Sequence, residues 1–85
     1  MREFRYQITD KDGIHARPAG ELAKAAKSFD CQIKLEKDGK TAEAGRMLSV
    51  MSLGIQSGDT IRVTLEGPQE EEAEQSMREF FKTNL

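Results

Sequence analysis

Polar and apolar residues alternate in three stretches of this chain. Phe4, Tyr6 and Ile8 interleave with Glu3, Arg5 and Gln7; Cys31, Ile33 and Leu35 with Gln32, Lys34 and Glu36; Ile61, Val63 and Leu65 with Thr60, Arg62 and Thr64. A period of two puts alternate side chains on opposite faces, so each stretch predicts a strand with one wet and one dry face. Asp38-Gly39 is a tight hairpin signal that turns the second strand back into a short one near Lys40 to Glu43, whose alanine-rich sequence has little strand propensity of its own.

Between these strands the apolar period lengthens. Ala19, Leu22, Ala23, Ala26 and Phe29 recur at helical spacing, with Arg17, Glu21, Lys24, Lys27 and Ser28 on the other side, which predicts a helix starting near Ala16. Pro18 fits only the first turn, where its missing N–H would have had no intrahelical partner. After Gly67-Pro68, Glu70-Glu71-Glu72 loads acid onto a helix start whose apolar stripe is Ala73, Met77, Phe80 and Phe81. A shorter helix is expected from about Arg46 to Leu53. The order β-α-β-β-α-β-α implies an α+β fold, a four-stranded antiparallel sheet with helices over its apolar face and solvent on the other. A split β-α-β arrangement of ferredoxin type also fits much of this pattern.

The one histidine, His15, falls at the expected N-cap of the first helix. The free amides of Ala16 and Arg17 and the positive end of the helix dipole favour a bound anion there. The same field disfavours imidazolium, leaving a nitrogen lone pair to attack phosphorus, while Arg17 offers planar, permanently charged donors to phosphoryl oxygens. An ordinary cap or solvated loop histidine is the plainer reading of a lone His. A metal site is not expected, because one His and a distant Cys31 do not supply three or four ligands.

At 85 residues the chain is long enough for one small domain, expected to span 1–85. The single Cys31 cannot form an internal disulfide, and the N-terminus lacks the apolar run of a signal peptide or membrane span, so a cytoplasmic protein is expected. Net charge is −2, and aromatic residues make up only 6%, which disfavours a nucleic-acid binder.

Gly13-Ile-His-Ala-Arg-Pro-Ala19 resembles the active-site motif of the HPr family, the histidine phosphocarriers of the bacterial phosphoenolpyruvate-dependent sugar phosphotransferase system. Met51-Ser-Leu-Gly-Ile55 resembles that family's central helix and its glycine stop, and Asp38-Gly39-Lys40 the turn before it; length and element order agree over essentially the whole chain. The resemblance implies an open-faced β-sandwich with strand order 1-4-2-3. It also implies a carrier rather than an enzyme, without metal or organic cofactor. Such a carrier accepts phosphate from enzyme I on His15 through Nδ1 and passes it to sugar-specific enzyme IIA proteins, with Arg17 and the helix amides as the phosphate cradle. A monomer with no direct membrane insertion is expected. A regulatory module, whose phosphorylation state is read by a transcription factor or metabolic enzyme, would share His15 and Arg17.

The short second helix is too apolar for its length. Met47, Leu48 and Met51 cluster on one side and Val50 and Leu53 on another, so the methionines suit either core filling or a surface that docks several partners. The resemblance assigns Met47, Leu48 and Met51 to contacts with enzyme I and enzyme IIA. Arg17, Gly20, Lys24 and Lys27 fall along one side of the first helix, either as a solvated face or as a basic rim for acidic partners. Gly20 costs that helix about 1 kcal/mol relative to Ala, which closer approach of a partner to the phosphohistidine would offset.

One position departs from the family pattern. In low-GC Gram-positive relatives the residue before the central helix is a serine modified by an ATP-dependent kinase; here it is Arg46, which has no hydroxyl. Ser49 and Ser52 lie nearby and are expected to be packing or helix residues.

Overall fold

The computed structural model describes residues 1–85. In chain order the elements are β1 (Arg2–Gln7), α1 (Ala16–Lys27), β2 (Gln32–Lys37), β3 (Lys40–Glu43), α2 (Met47–Met51), β4 (Thr60–Glu66) and α3 (Glu70–Asn84). All pairings are antiparallel, in the order β1-β4-β2-β3. The ferredoxin-type alternative is therefore set aside in favour of the open-faced arrangement. Asp38 and Gly39 both take positive φ, 51° and 83°, the geometry of the tight turn that the dipeptide favours between β2 and β3.

Alternation sorts the sheet into two faces. Phe4, Ile33, Leu35, Ile61, Val63 and Leu65 are buried beneath the helices, while Arg62 on the open face pairs with Glu36 on β2 and with Glu3 on β1. Helix α1 contributes Ala19, Leu22, Ala23 and Ala26 to the buried set, and α3 contributes Ala73, Met77 and Phe81. The Phe81 ring packs edge-to-face against Phe4 and Tyr6 at centroid distances of 5.9 and 5.5 Å, joining the last helix to the first strand. Outside that contact, Glu74 on α3 accepts from Arg2 of β1 and, at 2.8 Å, from Arg78, whose guanidinium lies 4.6 Å from the Phe4 ring centroid.

Helix α2 is shorter than the 46–53 expected from its apolar arc. Arg46 is its N-cap and Ser52 its C-cap; the amides of Leu53 and Gly54 turn back to the carbonyls of Val50 and Met51, and Gly54 leaves with φ +65°. Tight three-residue closures and a left-handed glycine end the helix while the apolar pattern continues.

Candidate functional site

The loop between β1 and α1 is fastened at both ends. Gly13, at φ +65°, lies so close to the 55–56 backbone that a Cβ there would stand 2.3 Å from the Ile55 carbonyl oxygen and 2.7 Å from Gln56 Cα. The next amide, of Ile14, donates to that same Ile55 oxygen at 3.1 Å, and the Ile14 side chain is buried. The segment it leans on is itself braced. Lys37 Nζ donates to the Gly54 carbonyl at 2.7 Å and pairs with Asp59 at 2.9 Å, while Asp59 accepts the Gln56 amide. The Lys37 ammonium, and then that amide, hold the Asp59 carboxyl below the usual carboxylate range. At the other end of the loop, the Leu85 carbonyl accepts the amides of Thr9 and Asp10 at 2.6 and 2.8 Å and the Thr9 hydroxyl at 3.1 Å.

This clamp delivers His15 to the N-cap of α1 with extended backbone, φ −106° and ψ −171°. Its carbonyl starts the helix by accepting the Ala19 amide at 3.0 Å, but its ring makes no capping bond and is exposed. The ring is held at the helix end while its nitrogens stay free. The amides of Ala16 and Arg17 have no acceptor, as the geometry of a first turn requires, and buried Pro18 follows them. Arg17 is 87% exposed and rests 3.5 Å from Glu21 one turn on, an ion pair too solvated to hold it firmly. Asp10, His15, Arg17, Pro18, Glu21 and Asn84 line a shallow open concavity at this end of the molecule.

Two carboxylates that the sequence reading passed over stand at the ring. Asp10, Asp12 and His15 each place a polar side-chain atom within 4.8 Å of the others. The available signal was Asp-Lys-Asp-Gly, a turn sequence whose two acids flank one residue just before the histidine.

The matched family model is the PTS HPr component phosphorylation site, and it covers residues 2–83. This chain belongs to the HPr family. It is 38% identical over 73 residues to the phosphocarrier protein HPr of Vibrio cholerae, an alignment covering 86% of each chain. The crystal structure of HPr-C-His from Thermoanaerobacter tengcongensis superposes with a TM-score of 0.93 at 36% identity, covering 98% of this chain and 93% of its own. The Bacillus subtilis catabolite repression protein Crh, crystallised as a domain-swapped dimer, matches at 28% identity and a TM-score of 0.79 over 100% of this chain and 98% of its own.

Within this HPr fold the expected docking residues separate by burial. Leu48 is 79% exposed, Met47 and Met51 are half-buried against the core, and Val50 is fully buried. The outward residue of α2 is thus the leucine, flanked by two methionines that serve the core as well. Lys24 and Lys27 are exposed and carry no ion pair, whereas Arg46 meets Glu43 at 3.0 Å. Gly20 is half-buried on α1 beside Met47 of α2, and a Cβ built there would meet Met47 Sδ at 3.5 Å, an ordinary van der Waals contact.

Proposed function

We propose that these 85 residues act as one phosphocarrier domain that takes a phosphoryl group from phospho-enzyme I onto His15 and passes it to enzyme IIA proteins for sugar uptake. The observation that carries this reading is the exposed, unbonded imidazole at the start of α1, next to two amides without acceptors. A neutral ring nitrogen, Nδ1 in this proposal, attacks the phosphorus as the donor's N–P bond breaks; the donor imidazole leaves with that electron pair, and the second transfer repeats the exchange outward. No proton need be gained or lost at phosphorus. Charge balance and positioning fall to Arg17 and the amides of Ala16 and Arg17, without a metal or organic cofactor. His15 is regenerated only by a second protein, so the chain is a stoichiometric carrier and not an enzyme.

The docking surface in this reading is Leu48 with Met47 and Met51, rimmed by Lys24 and Lys27 beside the Gly20–Met47 seam. The two unpaired lysines suit an acidic partner rim. The carrier unit is the monomer, in which β1 pairs with β4 of its own chain over six residues; the swapped dimer of Crh is the contrasting state, and sedimentation at working concentration separates the two.

Incubation with phosphoenolpyruvate and catalytic enzyme I, read by intact mass, is expected to add one acid-labile phosphate to the wild type and none to His15→Ala. Similarity to Crh favours a second reading, a regulatory module whose phosphorylation state is sensed by another protein. Failure of every enzyme IIA to accept the phosphate would promote that reading.

A further inference from the structure

The His15 ring shares its end of the molecule with charge that opposes a phosphate. Asp10 and Asp12 reach within 4.8 Å of it, and neither carboxylate forms an ion pair. Their placement is built into the loop. The Asp10 amide donates to the Leu85 carbonyl, its own carbonyl accepts the Gly13 amide at 3.0 Å, and its Oδ1 accepts the Asp12 amide at 2.8 Å. The concavity also holds Glu21, which engages Arg17, its one cation. Lys11 lies exposed on the same turn, and Lys82 lines the adjoining hollow beside Asp10.

We propose that Asp10 and Asp12 tune the phosphorylated state: their charge raises the transfer potential of a phosphoryl group on His15, so that the carrier surrenders it readily. This rests on His15 being the phosphate carrier. The helix amides and Arg17 attract the dianion, the two carboxylates repel it, and the balance sets how firmly it rests there. A carrier with only the attractive half would hold its cargo and stall between donor and acceptor. The two acids act through space, without touching the donor or the acceptor in this account.

The effect belongs to an equilibrium, which separates it from docking. Enzyme I at catalytic concentration changes how fast phosphoenolpyruvate, pyruvate and carrier equilibrate but not where they settle. The protein is brought to equilibrium with known phosphoenolpyruvate and pyruvate mixtures at low and at high salt, and the phosphorylated fraction is read by intact mass. Asp10→Asn and Asp12→Asn are compared with wild type; asparagine at position 10 keeps an oxygen to accept the Asp12 amide. Each variant is expected to shift the equilibrium toward the phosphorylated form by about fivefold at low salt, as for unit charges some 4 Å apart in water, with the gain fading toward 1 M salt. Equal constants for variants and wild type, or a gain indifferent to salt, would overturn the proposal and leave the carrier reading standing. No acid-labile phosphate on wild-type His15 with a proven enzyme I would overturn both.

Discussion

A Cβ at position 13 would stand 2.3 Å from the Ile55 carbonyl oxygen, so the loop that carries the histidine closes only over a glycine. Gly13→Ala meets both this backbone contact and an unfavourable positive φ, and is expected to cost about 3 kcal/mol. Gly54→Ala shares the φ of +65° but faces open space, and is expected to cost about 1 kcal/mol. Urea unfolding of the two variants checks the difference; equal losses would mean that the Ile55 contact relaxes without cost.

Leu48 and Val50 lie two residues apart and face opposite demands. Leu48→Ala is expected to leave stability within about 0.5 kcal/mol of wild type, because the side chain is already in water, while slowing phosphate exchange with enzyme I through a raised KM. Val50→Ala empties a buried site and is expected to cost about 2 kcal/mol with little change in KM. Denaturation and steady-state transfer measured on both variants test the assignment of Leu48 to docking.

Glu74 joins α3 to β1, and its carboxyl is held below its ordinary value of 4.5 by hydrogen bonds from Arg2 and then Arg78. A carboxyl with a lowered folded pKa contributes stability above its unfolded value and loses that contribution as pH falls through the folded one. Wild type should therefore be more stable than Glu74→Gln at pH 7, with the gap closing as pH drops below 4.5. Chemical denaturation from pH 7 to pH 3 gives the comparison, and a gap that stays constant would discount the ion pairs.

No kinase-dependent phosphate is expected between residues 46 and 52. Arg46 has no hydroxyl, Ser49 is half-buried, and the Ser52 hydroxyl donates to the Ser49 carbonyl at 2.7 Å. Mass mapping after incubation with ATP and the serine kinase that acts on low-GC Gram-positive relatives checks this. Arg46→Ser supplies both an acceptor and a better N-cap for α2, so it is expected to gain the mark and about 0.5 kcal/mol of stability. A mark on unmodified Ser49 or Ser52 would contradict the expectation.

Local signals carried far in this chain. Alternation in β1, β2 and β4, the Asp38-Gly39 turn, and Pro18 as the marker of the α1 start all depend on residues a few positions apart, and each appears where the pattern puts it. The placement of His15 at the N-cap follows from the same local rule. Strand order did not follow from pattern, because pairing β1 with β4 joins residues nearly sixty positions apart; only the family resemblance supplied it. The Asp10 and Asp12 carboxylates at the ring and the packing of α2 beside Gly20 of α1 were missed for a related reason. Each depends on how a turn or a second helix is laid against its neighbour, which periodicity does not encode.

The hold of Leu85 on Thr9 and Asp10 joins distant parts of the sequence, Thr9 and its acceptor lying 76 positions apart. During synthesis the histidine emerges early, yet the bonds that fasten its loop must wait for residue 85 to be made. Closing so long a segment is entropically costly and is repaid only once the intervening sheet has brought its ends together. The His15 end of the domain is thus fastened late, and a chain that bears His15 but not yet Leu85 lacks the anchored loop of the folded domain.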